Sequence, residues 1–347
     1  MKDIAIIGAG WFGLHIGKYL KEKGHTITIF EQADDILSAA SGKNQYRLHL
    51  GFHYPRNYST RIKNYQNYYR FLKDYPGLAE PVARNYYCVV NEESLLDFTT
   101  YKGIFQFDGI PYKESQLTDS FNLDKIEGCV SCDEMVLNTT SIRNHFKSIF
   151  TEKELRLNTK VKHIEHTLNG AIVNDDLFDY CINCTYNHFN HIKNLEVNYE
   201  ACLTLVYRCL NKNIYDSSVT LVDGDFFSLY PIADESLCYT LTHVKYTPMQ
   251  SFSKPEDCIT YIENLQDSDI EKKRIEMEEN VRKYYPSFNE DFLYKRHFCS
   301  IKTKTVSNSA NRDLHVSVEG NILNAFSGKI LEIFELEKYI NTWLKLV

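Results

Sequence analysis

The sequence predicts an α/β protein with a βαβ domain on a parallel sheet and a second, α+β domain built on a mixed β-sheet. Three observations carry that expectation. A chain of 347 residues exceeds the size at which a single hydrophobic core stops growing, so two domains are expected. The first thirty-one residues spell strand, glycine turn, helix and strand in order. Strand-like apolar runs recur between residues 201 and 245, and a charged helical pattern follows from Pro255 to Tyr284.

Composition narrows the class. The chain is 43% hydrophobic and 24% charged, which excludes a largely disordered, collagenous or disulfide-scaffold protein. Thirty-nine basic against 46 acidic residues give a net charge of −7, not the basic surplus of a duplex-binding domain. No stretch reaches the roughly 18 uninterrupted apolar residues of a membrane helix. Met1-Lys2-Asp3 runs straight into a strand without a leader pattern, so a cytoplasmic location is expected and the ten Cys are read as reduced thiols. Tyr is frequent, at 25 residues; it packs while keeping a polar handle.

Each element of the opening unit has a local reason. Ile4-Ala-Ile-Ile7 is short and apolar, as a buried parallel strand requires. Gly8-Ala-Gly10-Trp11-Phe12-Gly13 follows at once. Leu14, Ile16 and Leu20 recur at helical spacing among lysines, and Gly24 stops that helix. Thr26 to Phe30 forms the second strand, with Glu31 at its tip. In this G-x-G-x-x-G order, Gly8 permits the tight turn, Gly10 lets backbone N–H groups approach a pyrophosphate, and Gly13 lets the helix pack on the strand. The phosphates would sit at the positive helix N-terminus. Glu31 stands 18 residues after Gly13, the spacing of a carboxylate that accepts from a ribose hydroxyl. The acid disfavours NADP, but the fingerprint alone does not separate NAD from FAD.

The residues that follow do. Ser41, Asn44, His49 and Gly51 match a segment S-x-x-N-x-x-x-x-H-x-G. Leu155 to Ile164 is similar to a strand on the adenine side, with Val161 near its centre. Phe178 to Thr185 is similar to a D-x-V-I-N-A-T strand, with Cys184 in place of its Ala. Asn321 to Ile330 is similar to a C-terminal strand–Gly–helix turn. Together these patches resemble the D-amino-acid oxidase-like superfamily of FAD-dependent oxidoreductases. The resemblance implies a Rossmann-type FAD-binding domain from 1–76, 136–200 and 297–347, interrupted by a substrate domain from 77–135 and 201–296. It implies FAD held by Gly8, Gly10, Trp11, Phe12, Gly13, Glu31, Gln32, Ser41, Asn44, Val161, Thr185, Gly328, Lys329 and Ile330. No covalent-flavin signature is visible.

Candidate reactive residues follow from the same reading. His49, His53, Tyr54 and Arg56 form the densest polar-aromatic run. If extended, His49 and His53 share one face and Tyr54 and Arg56 the other. A His titrates in the range a base needs, with His53 the first choice, and Arg56 has the fork to clamp an anion; the alternative is a packed turn. Arg47 and Arg61 are expected at the surface or on phosphate. Tyr230, in the aromatic run from Phe226 to Pro231, can hold a substrate oxygen or pack in a core. Arg312 can face the flavin or sit in a solvated loop. Cys129-x-x-Cys132 and Cys181-x-x-Cys184 are read as thiols, and no metal site is expected.

These readings imply an FAD-dependent oxidoreductase that takes hydride from a C–N or C–O carbon to flavin N5. The substrate expected is small, polar, and anionic or sugar-linked. Electrons would pass to oxygen or another acceptor. Resemblance to flavoproteins of surface-carbohydrate biosynthesis extends this to nucleotide sugars. Two alternatives stand beside it: a non-redox flavoenzyme resembling UDP-galactopyranose mutase, and a non-catalytic flavin-binding protein.

Overall fold

Short apolar strands with helix-forming, amphipathic intervals build the first of two units in the computed structural model, which describes residues 1–306 and 313–345. This unit comprises Met1–Lys43, Thr140–Tyr199 and Lys302–Val347. Its main sheet runs in the order His315–Glu319, Ile322–Phe326, Tyr180–Asn183, Asp3–Ile7, Thr26–Phe30, Leu155–Arg156. The last five are parallel, and His315–Glu319 pairs antiparallel at the edge. Ile4, Ala5, Ile6 and Ile29 are fully buried, as a sheet covered on both faces demands. The helix Trp11–Glu22 packs with the helix Ile333–Trp343, where His15 meets Glu337 at 3.3 Å and the Phe334 ring edge-on. A small antiparallel sheet of Ile164–Thr167, Gly170–Val173 and Asp176–Phe178 adds Ala171, Val173 and Phe178 to the core.

The expected single strand from Leu155 to Ile164 is two pieces. Asn158 adopts φ +51°, a left-handed conformation that Asn tolerates and a strand does not. Pairing ends at Arg156, and Ile164 opens the antiparallel sheet instead.

The second unit comprises Asn44–Thr139 and Glu200–Ile301. Its large mixed sheet takes in Pro248–Phe252, Val197–Cys209, Cys238–His243, Phe227–Pro231, Ser217–Val222, Arg84–Val90, Ile126–Ser131 and Lys113–Ser115, with Phe292–Thr305 pairing beside Val197–Cys209. Ser217–Val222 and Arg84–Val90 are parallel; their other neighbours are antiparallel. The helix Asp267–Arg282 buries Ile270, Met277 and Val281 against the core that includes Leu205, Leu221, Leu229 and Leu241. Residues 44–76, which the sequence reading placed with the first domain, cluster here. The reason is pairing: Arg47–Leu48 and Ala79–Pro81 flank Met135–Leu137 in a three-stranded antiparallel sheet. The helix Tyr58–Asp74 starts at Asn57, whose side chain accepts from the Thr60 N–H at 3.0 Å, an N-cap that satisfies an otherwise orphaned donor.

The reduced-thiol reading needs a correction at one pair. Cys88 and Cys129 are register partners on adjacent antiparallel strands, their Cα atoms 4.1 Å apart, and they form a disulfide. Cys132, Cys181 and Cys184 are free thiols, with burial pushing the Cys184 thiol up to about 12. Among the described residues no group of three or more His, Cys, Asp and Glu converges as a metal site, and no helix is long and apolar enough to cross a membrane.

One buried histidine gives the fold a pH dependence. His243 is 2% exposed and meets the Tyr246 ring at a tilt, and its Nδ1 accepts from the Lys245 N–H. Burial pulls its pKa down to about 4 from 6.5. The unfolded chain therefore binds a proton here between these values while the native chain does not. Stability contributed by neutral His243 is present above pH 6.5 and is lost as pH falls towards 4. In thermal melts, His243→Gln should show a shallower loss of Tm than the parent across that interval. A parent and variant that lose Tm in parallel would remove His243 from the account.

Candidate functional site

The glycine turn sits where the parallel strands end. Asp3–Ile7, Tyr180–Asn183 and Ile322–Phe326 run the same way, so Gly8, the Cys184–Thr185 turn and the Ser327–Lys329 turn leave one edge of the sheet. Ligands of open α/β sheets bind at that carboxyl edge. Gly8 has φ +97°, and a Cβ there would stand 2.9 Å from the Cys184 carbonyl oxygen. A Cβ on Gly13 would stand 1.9 Å from the Gly8 carbonyl oxygen, so the helix meets the turn at a distance only glycine allows. A Cβ on Gly10 would meet the Ser41 Oγ at 2.9 Å. That hydroxyl accepts from the Trp11 N–H at 3.1 Å, which places it over the helix N-terminus where a phosphate is stabilised.

Glu31 closes the cradle. Its Oε2 accepts from the Ala9 N–H at 2.8 Å and its Oε1 from the Ala33 N–H at 2.9 Å. The carboxylate thus bridges the glycine turn and the chain leaving the second strand. The Leu37 N–H donates to the Ala9 carbonyl and the Thr159 N–H to the Glu31 carbonyl, so residues 31–41 and 155–161 wrap the same turn. Val161 is buried with Ala5, Ile7 and Phe30 beneath. The Thr185 N–H donates to Asn183 Oδ1, and Asn183 Nδ2 donates to Asn324 Oδ1 at 2.8 Å, tying together the two strands whose turns flank Gly8. Trp11 is buried edge-on to Phe146, Phe12 is half-buried, Gln32 and Gly328 are exposed, and Ile330 opens a short 3-10 turn after buried Lys329. A turn kept clear of side chains, a helix N-terminus with a hydroxyl above it and a carboxylate at the tip of the second strand suit a dinucleotide. Asn44 belongs to the second unit, where its Oδ1 accepts from the Tyr46 N–H.

The second unit gathers the polar-aromatic run. Residues 49–57 are not extended: Gly51 has φ +118°, and the Tyr54 N–H donates to the Gly51 carbonyl, closing a turn. The turn folds the rings together. His49 and His53 centroids lie 5.8 Å apart, His49 and Tyr54 5.9 Å, and His53 and Tyr54 5.3 Å. Arg61, expected at the surface or on phosphate, is buried and holds this turn. Its Nε donates to Asp108 at 2.6 Å and its Nη1 to the Tyr54 and Pro55 carbonyls. Arg56 lies apart from the rings: its side chain is 61% exposed and its Nε donates to Asp223 at 2.5 Å. Arg312 lies outside the described residues.

Arg47, also expected at the surface or on phosphate, is 6% exposed. Its guanidinium donates to Thr220 and Ser228 hydroxyls and to the Tyr87 hydroxyl, and lies 4.1 Å from the Tyr230 ring centroid. Tyr230 is fully buried, with its hydroxyl donating to the Met135 carbonyl at 3.3 Å. Sequence reasoning missed Glu134, which is 1% exposed at the far side of Tyr87. The one signal for it was an acid followed at once by the apolar run Met135-Val136-Leu137.

The cradle makes a quantitative expectation. Glu31→Ala removes a charge-assisted hydrogen bond of roughly 1.5–3 kcal/mol, so FAD affinity should fall about 10- to 100-fold. Gly10→Val drives a branched side chain into Ser41 and should leave the purified protein without flavin. Flavin content after dialysis reads both. Full occupancy in folded Gly10→Val would put the phosphates elsewhere.

Comparison with known proteins agrees with this geometry. The chain matches the family of FAD dependent oxidoreductases over residues 3–315. It is similar to the FAD-dependent monooxygenase FPY4 of Fusarium mangiferae, with 34% identity over 332 residues covering 96% of this chain and 88% of that protein. It is similar to the FAD-dependent monooxygenase kojA of Aspergillus flavus, at 26% identity over 95% of this chain and 82% of that one. Among solved structures, glycine oxidase from Geobacillus kaustophilus shares the fold with a TM-score of 0.74 at 13% identity, over 96% of this chain and 91% of that chain. The glycine cradle, the acid that closes it and a family match across nearly the whole chain lead to one conclusion: this protein belongs to the FAD dependent oxidoreductases, with FAD as its cofactor.

Proposed function

We propose that the enzyme oxidises a C–N or C–O carbon of a small polar substrate, with the His49–His53–Tyr54 cluster taking the proton. When bound, FAD supplies a hydride acceptor at N5, and the protein contributes binding, orientation and proton transfer. The observation that carries this reading is the cluster itself: two imidazoles and a phenol folded within 6 Å of one another on a turn pinned by a buried ion pair. The substrate loses a hydride from carbon and a proton from its amine or hydroxyl, leaving a C=N or C=O bond. The electron pair then passes to oxygen or another acceptor.

Gly8, Gly10 and Gly13 would hold the pyrophosphate, Glu31 the ribose, and Ser41 a phosphate oxygen. Thr185, Gly328 and Lys329 end neighbouring strands and would meet the flavin from that edge. His49 is proposed as proton acceptor beside His53, because a buried carboxylate stands behind it. Arg56 already pairs with Asp223, so a substrate anion is not required by this reading. Amines, hydroxy acids and sugar-linked alcohols are all proposed substrates. Nothing in the chain provides a flavin attachment signature, so binding is proposed to be non-covalent.

The test is anaerobic bleaching of the FAD-loaded protein by a panel of amines, amino acids, 2-hydroxy acids, sugars and sugar phosphates. With the compound that bleaches the parent, His49→Ala should slow flavin reduction by about 10²–10⁴-fold while flavin content is kept. His49→Ala and His53→Ala variants that both reduce at the parent rate would show the cluster to be structural. Acid precipitation should leave all flavin in the supernatant; flavin on the pellet would contradict non-covalent binding.

A further inference from the structure

Residues 31–42 leave the second strand and return over the glycine turn as a strap. The Leu37 N–H donates to the Ala9 carbonyl at 3.0 Å, and the Ser41 hydroxyl accepts from the Trp11 N–H. Ile36 and Leu37 are buried at the bend of the strap. Leu37 takes φ +55°, a left-handed conformation that is costly for a residue with a Cβ and persists only where the surroundings impose it. The two limbs of the bend meet at Gly42, where a Cβ would stand 1.9 Å from the Leu37 carbonyl oxygen and 3.3 Å from Arg143 Nη2.

The surroundings include the helix Thr139–Ile149. Ile142 and Phe146 lie on its buried side, and the Phe146 ring meets that of Trp11, the first residue of the helix Trp11–Glu22, at 5.5 Å. Arg143 and Lys147 follow these two by one position, so they share the adjoining face. Both reach Asp35. Lys147 Nζ lies 2.7 Å from Asp35 Oδ1, and Arg143 Nε lies 3.4 Å from Asp35 Oδ2. Arg143 Nε also donates to the Ile36 carbonyl at 3.4 Å. Within the strap, the Ile36 N–H donates to Asp35 Oδ1 at 2.8 Å and the Ser38 hydroxyl to the Asp35 carbonyl at 2.6 Å. Burial pushes the Asp35 carboxyl up, but Lys147, the Ile36 N–H and the Arg143 charge outweigh it and hold it below its ordinary value. Asp35 is therefore ionised at neutral pH, with a cation on each oxygen.

We propose that Asp35, gripped by Arg143 and Lys147, is the fastening of a phosphate strap: it keeps Ser41 over the helix N-terminus and sets how fast bound FAD leaves. These are positioning residues, which act through the strap. The strap carries Ser41 and the Ala33 N–H that holds Glu31, so lifting it dismantles the cradle. The proposal rests on the reading of the glycine turn as the phosphate site and is independent of the substrate. The three side chains are between 29% and 45% exposed, so their attraction is screened by salt. That gives the fastening a signature that apolar packing lacks.

The experiment measures how fast the FAD-loaded protein loses flavin after dilution, with free and bound flavin separated over time. In low salt, Asp35→Asn should release FAD about 3- to 10-fold faster than the parent, the sum of two partly exposed contacts on one carboxylate. Adding Lys147→Met to Asp35→Asn should not speed release further, because that contact is already broken. In ~1 M salt, where the screening length is about 3 Å, parent and Asp35→Asn should release at the same rate. Thermal melting confirms folding. If Asp35→Asn does not fold, Lys147→Met alone should give a smaller increase with the same convergence in salt. Release unchanged in folded Asp35→Asn overturns the proposal, as does a difference that persists in high salt. Faster release in Arg143→Met with parent behaviour in Asp35→Asn also overturns it, by placing Arg143 on the cofactor and not on the strap. The Gly10→Val variant tests the phosphate site separately: flavin lost there, with release unaltered in Asp35→Asn, locates the failure in the fastening and not in the cradle.

Discussion

The closeness with which the opening helix meets the end of the first strand governs the cofactor half of this protein. A Cβ on Gly13 would stand 1.9 Å from the Gly8 carbonyl oxygen, so any other residue there lifts the helix off the turn. That contact aims the helix N-terminus at the sheet edge. It lets Glu31 reach back to the Ala9 N–H and sets Ser41 over Trp11. Residue 42 repeats the logic, since a Cβ on Gly42 would stand 1.9 Å from the Leu37 carbonyl oxygen. Both glycines exchange conformational freedom in the unfolded chain for close backbone approach in the folded one. The space kept clear is the space a pyrophosphate needs.

The opening βαβ unit was legible in the sequence because its information is local. Strand, turn, helix and acid fall within 31 residues, and each carries its own periodicity or turn chemistry. The boundary between the two units was not legible. It depends on Arg47–Leu48 pairing with Met135–Leu137, a contact between segments that no short pattern announces. The same distance in sequence hid Glu134, whose bond to Leu50 spans 84 residues. The histidines of the 49–54 run were found as residue types, but their arrangement was misread. Alternation along an extended chain would have placed Tyr54 away from His49, whereas the turn at Gly51 folds both onto one cluster. Positive φ at a glycine is permitted by sequence, never required by it.

The buried arginines carry the clearest physical lesson. The sequence leaves Arg47 and Arg61 to the surface or to a phosphate, the usual positions of a cation without a buried acceptor. Each is buried because the tertiary fold supplies a matched set of acceptors: hydroxyls and an aromatic face for Arg47, and Asp108 with two carbonyls for Arg61. A buried charge is tolerated only when it is paired or hydrogen-bonded. Removing one partner therefore costs far more than losing a surface pair. Such groups rigidify what they touch. Here Arg61 holds the turn that carries His49, His53 and Tyr54, and Arg47 reaches buried Glu134 through the Tyr87 hydroxyl.

The central claim is that this chain is built around an intact flavin adenine dinucleotide held by its first unit. The most direct measurement is the identity and stoichiometry of the small molecule released when the purified protein is denatured, read by mass spectrometry against absorbance. The account predicts intact FAD, approaching a single molecule per chain, together with the visible absorption of an oxidised flavin before release. Recovery of a nicotinamide dinucleotide in its place, or a protein that refuses added FAD, would contradict it.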